Sequence, residues 1–308
     1  MRTNSPPTLL AFQERFRDEK TCEEFLFQWR WPDGFRCPRC GGRKATRLAG
    51  RRQWQCRACY HQVSITAGTV MHRTKLSLRM WFWAMFLVGR HKKSISAVQL
   101  QADLGFRSYR TAWLLLHKIR SCFGERRAFP LKGVVEVDES LVGSLPAGAI
   151  RGRGAPQALV VAAVERRADG TLGSARAEVI ERADAATLVP FVKRSVASGS
   201  AVMTDGWRGY LALAHEDFDH TREVALYGLE RPRRVLDGVH LFFSNLKTWL
   251  RGRFHGVSPR YMPAYLAEFT YRFNRRHSPP DIFAWVARRL MGGGPRSLAQ
   301  ITATEASA

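Results

Sequence analysis

Long apolar runs, acidic residues and cysteines are all scarce in this 308-residue chain. The longest apolar run, residues 80–88 (MWFWAMFLV), is too short to span a bilayer, and its aromatics suit a buried helix. Residues 1–16 hold no apolar stretch of signal-peptide length and include an acid, which predicts a cytoplasmic, reducing location and no membrane partner. In such a compartment the six cysteines read as metal ligands before disulfides. Asp and Glu number 26 against 49 Lys and Arg, a net charge of +23. That excess goes well beyond what solubility asks of a metabolic enzyme. It points to a polyanionic partner, nucleic acid being the most abundant, with a ribosome-associated or membrane-surface basic protein as the competing class. A hydrophobic content of 45% excludes wholesale disorder and supplies a core.

Residues 5–27 read as a single capped helix opened by Pro6 and Pro7, with Leu9, Leu10, Phe12 and Phe16 at near-helical spacing and Cys22 in the core. Two CxxC pairs follow, Cys37/Cys40 and Cys56/Cys59, separated by fifteen residues. Each can turn two thiolates towards one tetrahedral ion, so the four predict a structural Zn²⁺ site in a ribbon with strands near residues 53–55 and 63–66; His61 and His72 are not needed. Arg36, Arg39, Arg43, Lys44, Arg47, Arg51, Arg52 and Arg57 crowd this unit and suit DNA phosphate. Beyond it come an aromatic helical stretch from Leu76 and helices at 96–104 and 108–122, the last two joined by a turn at Gly105. With Arg107 and Arg110 opening the second, this is a helix-turn-helix pattern and places both arginines as DNA contacts. An ordinary helical hairpin with Leu114, Leu115 and Ile119 as core reads equally well, and Cys122 is core in either case.

Residues 132–140 (KGVVEVDES) predict a strand that buries Val134, Val135 and Val137 and ends on Asp138 and Glu139. A glycine- and arginine-rich loop (143–156) leads to a hairpin of residues 157–167 and 174–182, then a helix at 185–198 capped by Asp184. A strand at 201–205 follows, ending on Asp205, and a helix at 207–215. Three antiparallel strands, a helix, a strand and further helices give the order of a ribonuclease-H-like α/β fold, in which Asp138 and Asp205 lie on neighbouring strands. On strand alternation Glu136 shares the face of Asp138 and Glu139 points away; both are reserve ligands. Residues 231–262 hold seven Lys or Arg and one acid, so Lys247, Arg251 and Arg253 should lie along a phosphate backbone. On the helix from about Val239, His240 and Lys247 share one face, while Phe242, Leu246 and Trp249 face the core. In the last amphipathic helix, 263–276, Glu268 and Arg272 form a surface salt bridge or brace the site. The implied domains are an N-terminal helix (1–30), zinc ribbon (31–74), helix-turn-helix-like region (75–128), ribonuclease-H-like catalytic domain (129–290) and a disordered tail (291–308).

The segments CPRC/CRAC, VEVDES, TDGWRGY and HLFFSNLKTWLRGRFHGVSPRYMPAYLAEFTYRFNRR resemble bacterial insertion-sequence transposases of the ISXO-like group, over residues 22–289. The resemblance implies DNA cut-and-join chemistry, with Asp138 and Asp205 at the first two catalytic positions. The third, usually glutamate, falls on His240, three residues before Phe243 and seven before Lys247. Asn245 is a weaker candidate on the same helix. Asp138 and Asp205 would bind Mg²⁺ or Mn²⁺; His240 is a better ligand for Mn²⁺ than for Mg²⁺, or carries a proton, and Lys247 holds a phosphate. The implied partners are double-stranded DNA, as terminal inverted repeats and target, and further copies of the chain, since pairing two ends needs at least a dimer. The alternatives are a DNA-binding protein that has lost catalysis and a metal-dependent nuclease without joining activity.

Overall fold

The computed structural model of the chain describes residues 8–48, 51–124, 129–143, 157–223, 236–254, 256–277 and 281–302. These form two compact units, residues 1–122 with 280–308, and residues 123–279. No helix among the described residues is long and apolar enough to cross a membrane.

The first unit opens with two helices where the sequence predicts one, α1 (Leu9–Arg15) and α2 (Glu19–Arg30). The break is made by Asp18, whose carboxylate accepts from the Thr21 N–H at 2.8 Å and starts a fresh helix. Pro6 and Pro7 lie outside the described residues. A three-stranded antiparallel ribbon follows: β1 (Ala45–Arg47), β2 (Gln53–Cys56) and β3 (Gln62–Ser64). Arg30 holds the far end of this ribbon by donating to the carbonyls of Ile65 and Ala67. Then come α3 (Leu78–Arg90), α4 (Ala97–Leu104) and α5 (Tyr109–Arg120). Ser96 caps α4, which ends at Gly105 in the left-handed region (φ 64°), as the turn predicts.

The second unit is built on a five-stranded mixed sheet. Strand β4 (Val134–Val142) pairs antiparallel with β5 (Ala158–Arg166), which pairs antiparallel with β6 (Leu172–Ile180). After α6 (Ala185–Ser195), β7 (Ala201–Thr204) returns parallel to β4. A 3₁₀ helix (Arg208–His215) leads to β8 (Asp219–Arg222), a polar edge strand that the sequence does not announce. The order β6-β5-β4-β7-β8, with one antiparallel strand inside an otherwise parallel centre, is that of a ribonuclease-H-like sheet. Helices α7 (Asp237–Phe254) and α8 (Met262–Asn274) cover one face through Phe242, Leu246, Trp249 and Phe269. The other face packs on α6 and Tyr210 through Val135, Val137 and Val161. Alternation therefore corrects one expectation: Val134 lies on the face opposite Val135 and Val137 and is exposed.

After α8 the chain rejoins the first unit as α9 (Ile282–Gly292) and α10 (Leu298–Thr302). The second unit ends at residue 279, where the sequence-based catalytic domain is expected to run to 290, and Phe283 of α9 packs among Phe12, Phe16, Phe25 and Phe82 of the first unit. Helix α10 also gives structure to part of the stretch expected to be a disordered tail. The basic loop 230–234 and nearly all of loop 143–156 lie outside the described residues.

Candidate active site and metal centre

In the ribbon, Cys37 and Cys40 precede β1, while Cys56 ends β2 and Cys59 lies in the turn to β3. Their four sulfurs all lie within 4.8 Å of one another. The Cys37–Cys59 and Cys40–Cys56 sulfurs are 3.6 Å apart. A tetrahedron with zinc–sulfur bonds of about 2.3 Å has edges of about 3.8 Å, so the spacing fits zinc. A Cβ at Gly42 would come within 3.1 Å of the Cys56 sulfur, so glycine keeps this space clear. The backbone N–H of Cys59 holds the Cys56 thiol below its ordinary pKa against the effect of burial, helped by the Ala58 N–H. His61 and His72 stand outside the cluster.

In the second unit, Val134, Val135 and Glu136 of β4 pair with Ala201, Val202 and Met203 of β7, and the same register continued two residues brings Asp138 level with Asp205. The Glu139 N–H fixes one Asp138 oxygen at 2.8 Å, and the Trp207 N–H fixes one Asp205 oxygen at 2.9 Å. Across from them, α7 puts His240 Nε2 3.2 Å from the other Asp138 oxygen. The Asp138 side chain is 15% exposed and that of His240 58%. Burial raises the Asp138 pKa and Asp205 raises it further, outweighing the Glu139 N–H and His240. Two turns further along the same face of α7, Lys247 Nζ donates to Ser140 Oγ at 2.7 Å. Its pKa is lowered by burial and by Arg251, while Asp138 opposes the shift. A cleft of about 570 Å³ opens here, lined by Glu139, Ser140, Gln157, Lys247 and Arg251 among others.

Residues 17–62 match the transposase zinc-ribbon domain, and residues 130–274 match the ISXO2-like transposase domain. The chain belongs to the ISXO2-like insertion-sequence transposases. Over 280 residues it is 28% identical to an uncharacterized protein in transposable element ISH50 of Halobacterium salinarum, covering 83% of this chain and 91% of that one. It is 29% identical over 96 residues to an uncharacterized transposase-like protein of Haemophilus influenzae, or 31% of this chain and 77% of the relative.

In this ISXO2-like transposase the expected acids, His240 and Lys247 therefore gather in one unit. Arg251 is exposed and Arg253 half-buried on α7, and Arg107 and Arg110 are exposed at the start of α5. The reserve ligands fare differently. Glu136 is fully buried and already committed: it accepts from Arg166 at 2.9 Å and from the Val239 N–H of α7 at 3.0 Å. Glu139 accepts from the Tyr210 hydroxyl at 2.6 Å. Burial raises the Tyr210 phenol pKa, and Glu139, Asp138 and Asp205 raise it further. Asn245 is exposed and sits about 140° around the helix from His240, so it does not share the site. Glu268 and Arg272 form a buried pair, not a surface one. Sequence reasoning missed Glu136 as the anchor of α7 and Gly238 as its partner. A Cβ at Gly238 would fall 2.9 Å from a Glu136 oxygen.

Proposed function

We propose that this chain is the DNA transposase of an insertion sequence. It binds the terminal inverted repeats of its element through the ribbon and the helix opened by Arg107 and Arg110. Strand cleavage and strand transfer occur at Asp138 and Asp205. One observation carries this reading: two carboxylates meet at the ends of adjacent parallel strands, with His240 and Lys247 facing them from one helix. The acids are fitted to hard divalent cations. Asp138 is buried beside a like charge, an arrangement that Mg²⁺ or Mn²⁺ held by Asp138 and Asp205 would relieve. Such ions activate the attacking oxygen and stabilise the leaving oxygen at phosphorus. His240 orients the Asp138 carboxylate and is placed to pass a proton at the site. Lys247, with Arg251 beside the same cleft, holds the scissile strand by its phosphates. Zn²⁺ on the four cysteines fixes the ribbon and takes no part in the chemistry.

A second reading has one observation in its favour: an imidazole occupies the place where the group usually has a third carboxylate. In that case the chain binds repeats and no longer joins them. The Asp205→Asn protein separates the two when compared with the parent in a strand-transfer assay using a labelled terminal-repeat duplex, with Mg²⁺ and separately with Mn²⁺. The transposase reading expects joining by the parent and a loss of about 10³-fold or more in the variant, with repeat binding retained. Faster joining in Mn²⁺ supports His240 as a ligand. Repeat binding by both proteins with joining by neither supports the second reading.

A further inference from the structure

The two cysteine knuckles of the ribbon share one backbone geometry but place different residues after the second cysteine. After Cys40, Gly41 takes φ 73° and its N–H returns to the Cys37 carbonyl at 2.9 Å. After Cys59, Tyr60 takes φ 58° and its N–H returns to the Cys56 carbonyl at 3.0 Å. The left-handed region is open to glycine and costs a residue with a Cβ about 1–2 kcal/mol, and a bulky side chain is a true outlier there. Packing within the chain does not offset that cost. Tyr60 is 73% exposed, and among the described residues its ring and hydroxyl make no stacking, cation–π or hydrogen-bond contact. The residues around the knuckles are cationic and largely uncommitted. Among the described residues the side chains of Arg36, Arg39, Arg43 and Lys44 make no ion pair, and that of Arg57 bonds only the neutral Thr46 hydroxyl.

We propose that Tyr60 is a DNA contact of the ribbon, its ring seated against a nucleobase or deoxyribose while the neighbouring cations take phosphates. The inference rests on the repeat-binding role proposed above. A strained, exposed aromatic within a field of free positive charge matches a ligand that is anionic along its edge and flat in its interior.

The test uses the full chain and its Tyr60→Gly, Tyr60→Asn and Tyr60→Phe variants. Affinity for a labelled terminal-repeat duplex is measured by fluorescence anisotropy over a salt series, alongside melting temperature and bound zinc. Glycine and asparagine both accept a positive φ, so these variants should melt at or above the parent and keep their zinc, yet bind about tenfold more weakly. The salt slope should stay unchanged because no phosphate contact is lost, and Tyr60→Phe should bind like the parent. Binding by Tyr60→Gly and Tyr60→Asn within about twofold of the parent overturns the proposal. So does a loss that tracks a fall in melting temperature, or a Tyr60→Phe protein as weak as Tyr60→Gly. A parent that binds no duplex sinks the repeat-binding role as well; a parent that binds, with unchanged glycine and asparagine variants, sinks Tyr60 alone.

Discussion

The two ligand sets in this chain are assembled on opposite electrostatic terms. In the ribbon, four thiols converge so closely that two sulfur pairs stand 3.6 Å apart, and backbone N–H groups already point at them. Among the described residues this is the one group of three or more potential metal ligands whose donor atoms gather. In the sheet unit, Asp138 and Asp205 bring like charges together at a buried strand end, and His240 meets only Asp138. The first set is closed on itself and belongs to folding. The second is held open at a cost in stability, as expected where binding energy is kept for a ligand. Removing one ligand should therefore destabilise the ribbon and relieve the sheet unit.

The largest effect expected is at the ribbon. Structural zinc in small zinc modules contributes about 10–16 kcal/mol of binding free energy, which in such modules is folding free energy. The three short strands bury only Trp54, Cys56 and Val63 between them. Cys40→Ser should abolish stoichiometric zinc, read by plasma mass spectrometry, and remove the ribbon's share of the melting transition followed by tryptophan fluorescence. Full zinc occupancy and an unchanged melt would mean that the cysteines are not a structural site, and the contrast would fail on that side.

An intermediate effect is expected at Glu136, which belongs to the scaffold of the acid site and not to its ligands. Glu136→Ala frees Arg166, whose side chain is 40% exposed and reaches water, but strands the Val239 N–H of α7 in a buried position. The cost should be about 1–3 kcal/mol in urea unfolding. Joining should fall further than stability does, because α7 carries both His240 and Lys247. Glu136→Gln keeps an acceptor for Val239 and should recover part of both losses. Joining that survives Glu136→Ala at the parent rate would show that the position of α7 is set elsewhere.

Much of this was legible in the sequence because it depends on spacing. The CxxC pairs, the alternation around Asp138, the strand that leads to Asp205 and the seven-residue step from His240 to Lys247 are local patterns, and each lands where the period places it. What was not legible depends on partners far away in the chain. Glu136 reads as a reserve ligand until Val239, more than a hundred residues later, is seen to donate to it. Residues 219–222 (DHTR) have no apolar alternation, and they are a strand only because β7 offers an edge. Helix α9 follows α8 directly in sequence, yet its apolar face is completed by phenylalanines from the start of the chain. The break at Asp18 is the exception: an Asx cap inside a periodic apolar run is a local signal, and the periodicity of Leu9 to Phe16 masked it.

The smallest effect tests the electrostatic half of the contrast and has a definite sign. Burial and Asp205 hold the Asp138 carboxyl above its ordinary pKa, so the folded chain keeps that proton to a higher pH than the unfolded chain does. Without divalent ions, stability should fall as pH rises from the ordinary carboxylate value through the raised one, and the deficit should persist above that window. Asp138→Asn removes the titration and still accepts from the Glu139 N–H. The variant should therefore match the parent at acid pH and melt above it near neutrality, each kcal/mol of relief being worth about 2–4 °C in a domain of this size. Adding Mg²⁺ should raise the parent's melting temperature and leave the variant nearly unmoved, closing the gap. If instead the metal-free parent is the more stable protein at neutral pH, His240 fully satisfies Asp138 in the free enzyme. The acid site would then be as closed as the ribbon, and its imidazole would be the partner of a finished ion pair with no vacancy for a metal to fill.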